Sequence, residues 1–207
     1  MRLLVGTRSP GKQREIRELL AGLPFQLVFP ADCGLEQHPE EDELEAGTSY
    51  AENAVAKARH FAARSGLPTV ADDSGIEVDA LGGAPGVRSA RWAGGTGGGD
   101  AAEARNNALL LERLDGVPER ERGARYRCVV AYLDTPTAVP EIVEATCEGW
   151  ILPAPRGSGG FGYDPLFFSP ELQASFAEVP PAAKHRVSHR GRAFRALIEV
   201  LLRRVSG

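Results

Sequence analysis

Several features that mark particular protein classes are scarce or missing in this sequence. Cysteine is limited to Cys33, Cys128 and Cys147, three residues that form no Cys-x-x-Cys pair. An odd set of this kind favours a reducing compartment. No apolar run reaches the roughly eighteen residues that a membrane span needs, and the apolar run over residues 1–5 is too short for a signal-peptide core. We therefore expect a cytoplasmic protein that contacts no membrane.

A basic surplus is missing as well. The net charge of −4 argues against general binding to nucleic acid or to anionic membranes. The Walker A spacing of glycine, lysine and serine or threonine does not occur. What remains is ordinary for a soluble globular protein, with 43% apolar and 25% charged residues. The 207 residues suit one large α/β domain or two lobes that share a sheet.

The most informative stretch contains an acidic pair, Asp72 and Asp73, between a short apolar run, 67–71, and an alternating run, 76–80. Alternation with a period of two is typical of a half-buried strand. The pattern therefore predicts that the pair lies in a turn between two strands, with Gly75 supplying the turn's backbone angles. Carboxylates on such a turn can hold Mg²⁺, which prefers oxygen ligands. Taken alone, the pair is more typical of a solvated Asx-turn.

A second stretch joins a predicted strand, residues 2–5, to a predicted helix that starts at Pro10 with Ser9 as its N-cap. The N–H groups and the dipole of a helix N-terminus favour anions. Lys12, one turn into the helix, adds a mobile charge suited to phosphate. The alternative is a capped surface helix with a solvated lysine.

An acidic loop over residues 32–47 precedes a long predicted helix. Composition cannot choose a metal ligand among its acids, most of which must be solvated. Ser49 and Glu52 have the spacing of a capping box at the start of the helix. Asn53 and Lys57, four residues apart, share one face of it.

The second half of the chain contains two long predicted strands, 125–133 and 142–151, joined by a proline-containing turn. A glycine-rich surface loop is predicted over 94–99. Residues 157–162 match Gly-x-Gly-x-x-Gly literally, but they run towards Pro165 instead of opening a helix. We therefore reject this match as a dinucleotide-binding fingerprint.

Two further features lie at or after residues 157–162. Phe161 and Tyr163 suit a base-stacking platform or, alternatively, a tight loop whose aromatic rings turn into the core. A basic cluster over residues 184–192 comes immediately before a final amphipathic helix. Such a cluster is usually solvated surface, but it also suits recognition of anions and carbonyl oxygens.

Together these stretches resemble the family of inosine/xanthosine triphosphate pyrophosphatases, which act on noncanonical purine nucleoside triphosphates. Each segment is weak alone, but the joint match is highly specific, keeps the family's order and spans nearly the whole chain. The matching segments are 7–12, 45–48, 52–54, 57–59, 71–91, 159–167 and 188–191.

The resemblance implies an α/β fold with a long, mixed, twisted sheet flanked by helices, as a single domain over residues 1–207 with two lobes and a nucleotide cleft between them. It also implies a homodimer and a Mg²⁺ requirement. The implied reaction is hydrolysis between the α and β phosphates to give a nucleoside monophosphate and pyrophosphate. Asp73 matches the family's general base and metal-linked carboxylate, and Glu45 matches the acid that helps to hold the metal.

The resemblance also assigns substrate contacts, namely Thr7, Arg8, Ser9, Pro10, Gly11, Lys12 and Lys57 around the phosphates, Ser74 beside the acidic pair, and Phe161, Gly162, Tyr163, Asp164, Lys184, His189 and Arg190 at the base. Two positions depart from the family's pattern, since Ser9 replaces the usual Asn and Arg88 replaces a common Tyr. Asp72 remains an alternative to Asp73. A Maf-like pyrophosphatase with a different base choice and a non-catalytic nucleotide sensor are the alternative functions.

Overall fold

The computed structural model describes residues 1–94 and 99–205 as a mixed α/β fold. Its strands are β1 (Arg2–Val5), β2 (Gln26–Val28), β3 (Thr69–Val78), β4 (Gly123–Leu133), β5 (Glu141–Ile151), β6 (Phe167–Ser169) and β7 (Ala174–Ser175). Its helices are α1 (Pro10–Leu19), α2 (Tyr50–Ser65), α3 (Asp100–Arg113), α4 (Pro181–Val187) and α5 (His189–Val205).

One seven-stranded sheet has the order β2-β1-β3-β4-β5-β6-β7. Strand β1 is parallel to both of its neighbours, with Leu4 opposite Val28 on one side and Thr69 on the other. The pairs β5–β6 and β6–β7 are antiparallel. The predicted fold class, a mixed sheet with helices, is therefore confirmed.

The chain divides into two compact units. The first unit contains 1–73, 128–144 and the part of α5 from Ala193 onward, and the second contains 74–127 and 145–192. Both long strands predicted in the second half are present as β4 and β5. The glycine-rich loop predicted over 94–99 lies largely outside the described residues. In the described ranges, no helix is both long enough and apolar enough to cross a membrane.

The predicted turn at the acidic pair is wrong. Asp72, Asp73 and Gly75 all lie inside β3, which is one continuous strand of 10 residues. The apolar run before the pair and the alternating run after it are two parts of that strand. The prediction of a turn rests on the position of the two acids between an apolar run and an alternating run, and buried acids are rare unless they are paired. Here they are paired with lysines from α1 and α2, which the local pattern does not reveal.

The core of the first unit is aliphatic around β1, with Leu3 and Leu4 fully buried. Helix α2 contributes Ala54 and Ala58, which are also fully buried, so the backbone of this helix can pack closely. A Cβ atom at Gly6, directly after β1, would lie 2.8 Å from Phe61 Cδ2 of α2. This tight packing fixes α2 against the end of β1, where the predicted phosphate-binding residues begin.

The core of the second unit is aromatic. The ring of Tyr126 packs edge-on against Phe167, with centroids 4.8 Å apart, and stacks on Phe176 at 5.9 Å. Ile76 and Val78, from the second half of β3, belong to the same cluster. The residues predicted to bind the purine base lie around this aromatic core.

Candidate active site

An ammonium group between two carboxylates forms the centre of a polar cluster in the first unit. Lys57 Nζ lies 2.9 Å from Asp73 Oδ1 and 2.7 Å from Glu45 Oε1. The side-chain amide of Asn53 donates to the second oxygen, Asp73 Oδ2, at 2.9 Å. Asn53, Lys57 and Asp73 are all buried. The carboxylate of Asp73 is therefore held in one orientation, while its oxygens keep further lone pairs for other partners.

The positions of Asn53 and Lys57 follow from the local sequence at the start of α2. Helix α2 begins with the predicted capping box at Ser49, and the spacing of four puts Asn53 and Lys57 on one face, towards β3. The N–H of Gly47 donates to Asn53 Oδ1 at 2.9 Å. A Cβ atom at Gly47 would lie only 2.5 Å from that oxygen, so glycine is needed for the loop to approach. This contact fixes the chain two residues after Glu45.

The single positive charge of Lys57 offsets part of the negative charge of the carboxylates around it. Burial by itself lowers the pKa of Lys57, but the carboxylates of Asp73, Glu45 and Asp72 outweigh it and hold the pKa of Lys57 above its ordinary value. Lys57 is therefore a permanent cation at neutral pH. It can counter negative charge on a ligand as well as on the two acids.

The other acid of the pair has a different partner. Lys12 Nζ lies 3.1 Å from Asp72 Oδ2 and donates to the Asp72 carbonyl oxygen at 3.4 Å. Successive side chains of a strand point to opposite faces. Asp72 is accordingly paired with Lys12 of α1, and Asp73 with Lys57 of α2.

The junction between β1 and α1 has the predicted geometry of a helix N-terminus. Pro10 is the first helical residue and Ser9 is the N-cap, whose Oγ accepts from the Lys12 N–H at 3.4 Å. Thr7 Oγ1 accepts from the Ser9 N–H at 3.2 Å. Gly11 and Lys12 complete the first turn, so this end of α1 combines a helix N-terminus with an ammonium group.

Arg8 has a different environment from its neighbours. Its guanidinium donates to Glu41 Oε1 at 2.8 Å and to the carbonyl oxygens of Leu35 and Glu36, each at 3.0 Å. Arg64 also donates to Glu41 Oε1, at 2.9 Å. The structure therefore places the Arg8 guanidinium on the acidic loop, and its predicted phosphate contact stays a prediction.

In the second unit, Asp164 is the centre of another polar cluster. It forms an ion pair with Lys184, and its Oδ2 accepts from the Phe161 N–H at 2.9 Å. The hydroxyl of Tyr126 lies 3.4 Å from Asp164 Oδ1. Lys184 Nζ is 5.2 Å from the centre of the Phe161 ring, a cation–π distance. Phe161 itself is half-buried.

The two basic residues at the start of α5 join this cluster. The His189 ring stacks on Tyr126 at 4.5 Å with an interplanar angle of 5°. Arg190 Nη2 donates to Ser74 Oγ at 2.7 Å, and Arg190 Cζ is 5.6 Å from the Phe161 ring centre. Both residues are buried. The basic cluster does not simply precede a helix, as predicted, because residues 184–187 end α4 and residues 189–192 begin α5.

Tyr163 belongs to the core. It is buried, and its hydroxyl donates to the Ser89 carbonyl oxygen at 2.9 Å. Burial raises the pKa of Tyr163, so the hydroxyl stays protonated. Of the two alternatives for this loop, the core position thus describes Tyr163, while Phe161 keeps part of its ring exposed. Gly162, between them, is held through its backbone by α3.

Sequence reasoning left some members of these clusters unassigned. The sequence pattern places Asn53 on the correct face of α2 but does not predict its contact with Asp73. Tyr126 lies in a predicted strand, and nothing in the pattern separates it from an ordinary core aromatic. Arg88, where the family commonly has Tyr, is exposed in the short helix Gly86–Arg91.

Within the described ranges, no group of three or more histidine, cysteine, aspartate or glutamate side chains is arranged to hold a metal ion. A pair of carboxylates is nevertheless compatible with Mg²⁺, which is commonly bound through one or two carboxylates together with waters and substrate phosphates. Glu45 and Asp73 converge on one cation, the Lys57 ammonium, at 2.7 and 2.9 Å. These oxygen donors therefore fit a hard divalent cation.

Comparisons with known proteins bear on the family of this chain. The chain is 50% identical over 204 residues to a dITP/XTP pyrophosphatase of Thioalkalivibrio sulfidiphilus, which covers 97% of this chain and 98% of the relative. It is 47% identical over 199 residues to a dITP/XTP pyrophosphatase of Thermus thermophilus, with 96% and 91% covered.

Solved structures match over nearly the whole chain as well. A HAM1 protein from Coxiella burnetii has a TM-score of 0.84 at 35% identity, covering 98% of this chain and 99% of that one. A dITP/XTP pyrophosphatase from Mycobacterium abscessus has a TM-score of 0.69 at 43% identity, covering 95% and 98%. The model of the Ham1 family matches residues 3–200, and this chain therefore belongs to the Ham1 family.

Proposed function

We propose that this protein hydrolyses noncanonical purine nucleoside triphosphates, such as ITP, dITP and XTP, to the nucleoside monophosphate and pyrophosphate, and so cleanses the nucleotide pool. Relatives at 50% and 47% identity that bear the name dITP/XTP pyrophosphatase support the activity. One observation carries the chemistry, namely the Lys57 ammonium between Glu45 and Asp73. It brings a proton acceptor, a fixed cation and a second carboxylate into one cluster.

Asp73 is the proposed general base. A water that attacks the α phosphorus must lose a proton, and a buried carboxylate within hydrogen-bond distance can orient that water and accept the proton. Asn53 and Lys57 hold the carboxylate through one oxygen each, at 2.9 Å, which limits its rotation. Phosphoryl chemistry depends mainly on such positioning and on neutralised charge.

Two lysines supply charge for the phosphates. Lys57 is a buried, permanent cation, and Lys12 stands in the first turn of α1, where the helix N-terminus adds its own preference for anions. Thr7, Ser9, Pro10 and Gly11 shape that turn. We propose that these groups bind the triphosphate.

Mg²⁺ is the proposed cofactor, and Glu45 and Asp73 are the residues that would hold it. When bound, it would neutralise charge that develops on the phosphate oxygens. Lys57 contacts both carboxylates, so its ammonium holds the two acids close together.

We assign recognition of the purine base to the polar cluster around Asp164 in the second unit. Lys184, His189 and Arg190 can offer N–H donors, and Arg190 cannot become an acceptor. Such donors suit the 6-keto oxygen of hypoxanthine or xanthine, whereas the 6-amino group of adenine would place a donor against a donor. Phe161 is the proposed stacking surface, Ser74 is a proposed substrate contact through its bond with Arg190, and Asp164 orients Lys184.

The proposal also covers the oligomeric state and the cellular compartment. We propose a single domain that forms a homodimer and acts in the cytoplasm, where nucleotide pools are used. Analytical ultracentrifugation over a concentration series tests the dimer, and a sedimentation coefficient of a monomer at all micromolar concentrations would contradict it.

The decisive experiment is a substrate panel with Mg²⁺ in which pyrophosphate and orthophosphate are measured separately. We expect ITP, dITP and XTP to release pyrophosphate in one step, with ATP far slower. Orthophosphate released first, with a diphosphate product, would contradict the assigned bond. Nucleotide binding without turnover of any substrate would favour the sensor, and a preference for other bases would favour a Maf-like enzyme.

A further inference from the structure

The backbone of Gly162 is held at both of its polar groups by one helix. Its N–H donates to Glu103 Oε2 at 2.7 Å, and its carbonyl oxygen accepts from Asn107 Nδ2 at 2.9 Å. Glu103 and Asn107 are four residues apart on α3, so they lie on the same helical face. Helix α3 therefore binds both backbone polar groups of Gly162, a loop residue. We name this pair of contacts the α3 clamp.

The clamp acts where the loop geometry is most demanding. Gly162 has a φ angle of +67°, in the left-handed region where a side chain would be strained. The preceding residue, Phe161, has its own N–H fixed by Asp164 Oδ2 at 2.9 Å. The backbone is thus pinned on both sides of the Phe161 Cα atom.

Pinning both sides matters because the Phe161 ring is only half-buried. Packing alone does not fix a ring of this kind, whereas the neighbouring Tyr163 is fixed by the core and by Ser89. Lys184 and Arg190 approach the Phe161 ring centre at 5.2 and 5.6 Å. The ring therefore stands next to the proposed base-recognition donors, and its orientation depends on its backbone.

We propose that Glu103 and Asn107 are positioning residues that hold Phe161 as the stacking surface for the purine. This inference rests on the proposed function, because it assumes that Phe161 receives the base. The two residues act only through the Gly162 backbone. Neither is expected to touch the substrate, and neither belongs to the cluster around Asp73.

This role predicts a specific kinetic signature. Base–aromatic stacking contributes to affinity but is shared by every purine. A loosened Phe161 should therefore raise KM for ITP and for ATP by a similar factor, roughly tenfold, which is within the range expected for lost stacking. The kcat value should change less than about twofold, since the chemical groups are unchanged. A folding defect would instead reduce the active fraction and lower kcat.

Three variants test the clamp. Asn107→Asp keeps the shape but replaces the donor with an acceptor facing the Gly162 carbonyl, and Glu103→Ala removes the acceptor. Glu103→Gln keeps an acceptor oxygen and should restore a KM close to that of the wild type. Glu112→Gln is the matched control, because Glu112 is an exposed residue of the same helix.

Steady-state kinetics with ITP and ATP should be combined with calorimetric binding of inosine monophosphate, which needs no turnover. We expect Asn107→Asp and Glu103→Ala to raise both KM values and to weaken monophosphate binding about tenfold, with the ITP-to-ATP preference unchanged. Unchanged KM and binding in both variants, or a loss confined to kcat, would overturn the clamp. A wild-type protein that releases no pyrophosphate but binds the monophosphate in a clamp-dependent way would refute the proposed function alone.

Discussion

Asp73 Oδ1 accepts a hydrogen bond from Lys57 Nζ at 2.9 Å, and both side chains are buried. Each charge compensates the other in a place that water hardly reaches, so a change in either residue acts on chemistry and on electrostatic balance together. Substitutions that keep shape while altering charge are therefore the most informative tests of this cluster.

Asp73→Asn should lower turnover at least about a hundredfold, since it removes the proton acceptor and the charge, while nucleotide binding largely survives. Pyrophosphate release and calorimetric nucleotide binding measure the two effects. Asp72→Asn is the neighbouring comparison, because Asp72 is paired with Lys12. Near-normal turnover in Asp73→Asn with loss in Asp72→Asn would transfer the general-base role to Asp72.

Glu45→Gln should raise the Mg²⁺ concentration needed for half-maximal activity by at least about tenfold, because one of the two proposed carboxylate ligands loses its charge. Binding of Mn²⁺ followed by electron paramagnetic resonance gives a second readout without turnover. Glu43→Gln, in an exposed position of the same loop, is the control. Equal metal dependence in both variants would remove Glu45 from the metal site.

Glu41→Gln should make the protein's free energy of unfolding vary less with pH in the acidic range. Burial raises the pKa of Glu41, but hydrogen bonds from Arg8 and the His38 N–H outweigh it, and the pKa is lowered from its ordinary value of 4.5. A lowered folded-state pKa gives stability that is present above the ordinary pKa and is lost as pH falls through the folded-state pKa. Arg64 and His60 also face this carboxylate.

Urea unfolding at neutral pH and at about pH 3 measures that difference. The wild type should be more stable than Glu41→Gln at neutral pH, and the gap should shrink in acid. A gap of the same size at both pH values would show that the charge of Glu41 contributes nothing.

Ser9→Asn and Ser9→Ala separate capping from substrate contact at the position where the family usually has Asn. Ser9 is the N-cap of α1, so Ser9→Ala should cost about 1 kcal/mol of unfolding free energy, while Asn, an equally good cap, should be nearly neutral. Thermal and urea unfolding measure the stability, and KM for ITP reports the contact. A large stability loss in Ser9→Asn would contradict the capping assignment.

Arg190→Ala should erode the preference for ITP over ATP as well as the rate. A site built around a specific hydrogen bond can reject a mismatched analogue by roughly 10⁴-fold, which a purely apolar pocket does not achieve. The ratio of kcat/KM for the two substrates is the measurement. A wild-type enzyme that hydrolyses ATP as fast as ITP would refute the base-pocket assignment.

Local sequence signals predict where two of the helices begin. Ser9 with Pro10, and Ser49 with Glu52, start α1 and α2 where their capping chemistry predicts. The strands β1, β4 and β5 also follow their apolar or alternating patterns. These elements are set by short-range properties that a single sequence displays.

Long-range pairing accounts for what was missed. The continuity of β3 through Asp72 and Asp73 depends on lysines that are 60 and 16 residues away along the chain. No local pattern predicts that Arg8 donates to Glu41, 33 residues away, and its phosphate contact stays a prediction. The core position of Tyr163 depends on Ser89, which no local pattern connects to it.

The uninterrupted course of β3 has a consequence for how this protein can evolve. Along an extended strand, Asp72, Asp73 and Ser74 are regularly spaced, and each side chain points to the face opposite to that of the residue before it. Point substitutions leave that spacing intact. Insertion or deletion of one residue ahead of Asp72 within the strand would turn each acid to the opposite face and move it one position along the strand, so that the two lysine pairs would be lost even though every site residue was still present. We therefore expect β3 to accept a change of side chain more readily than a change in its residue count.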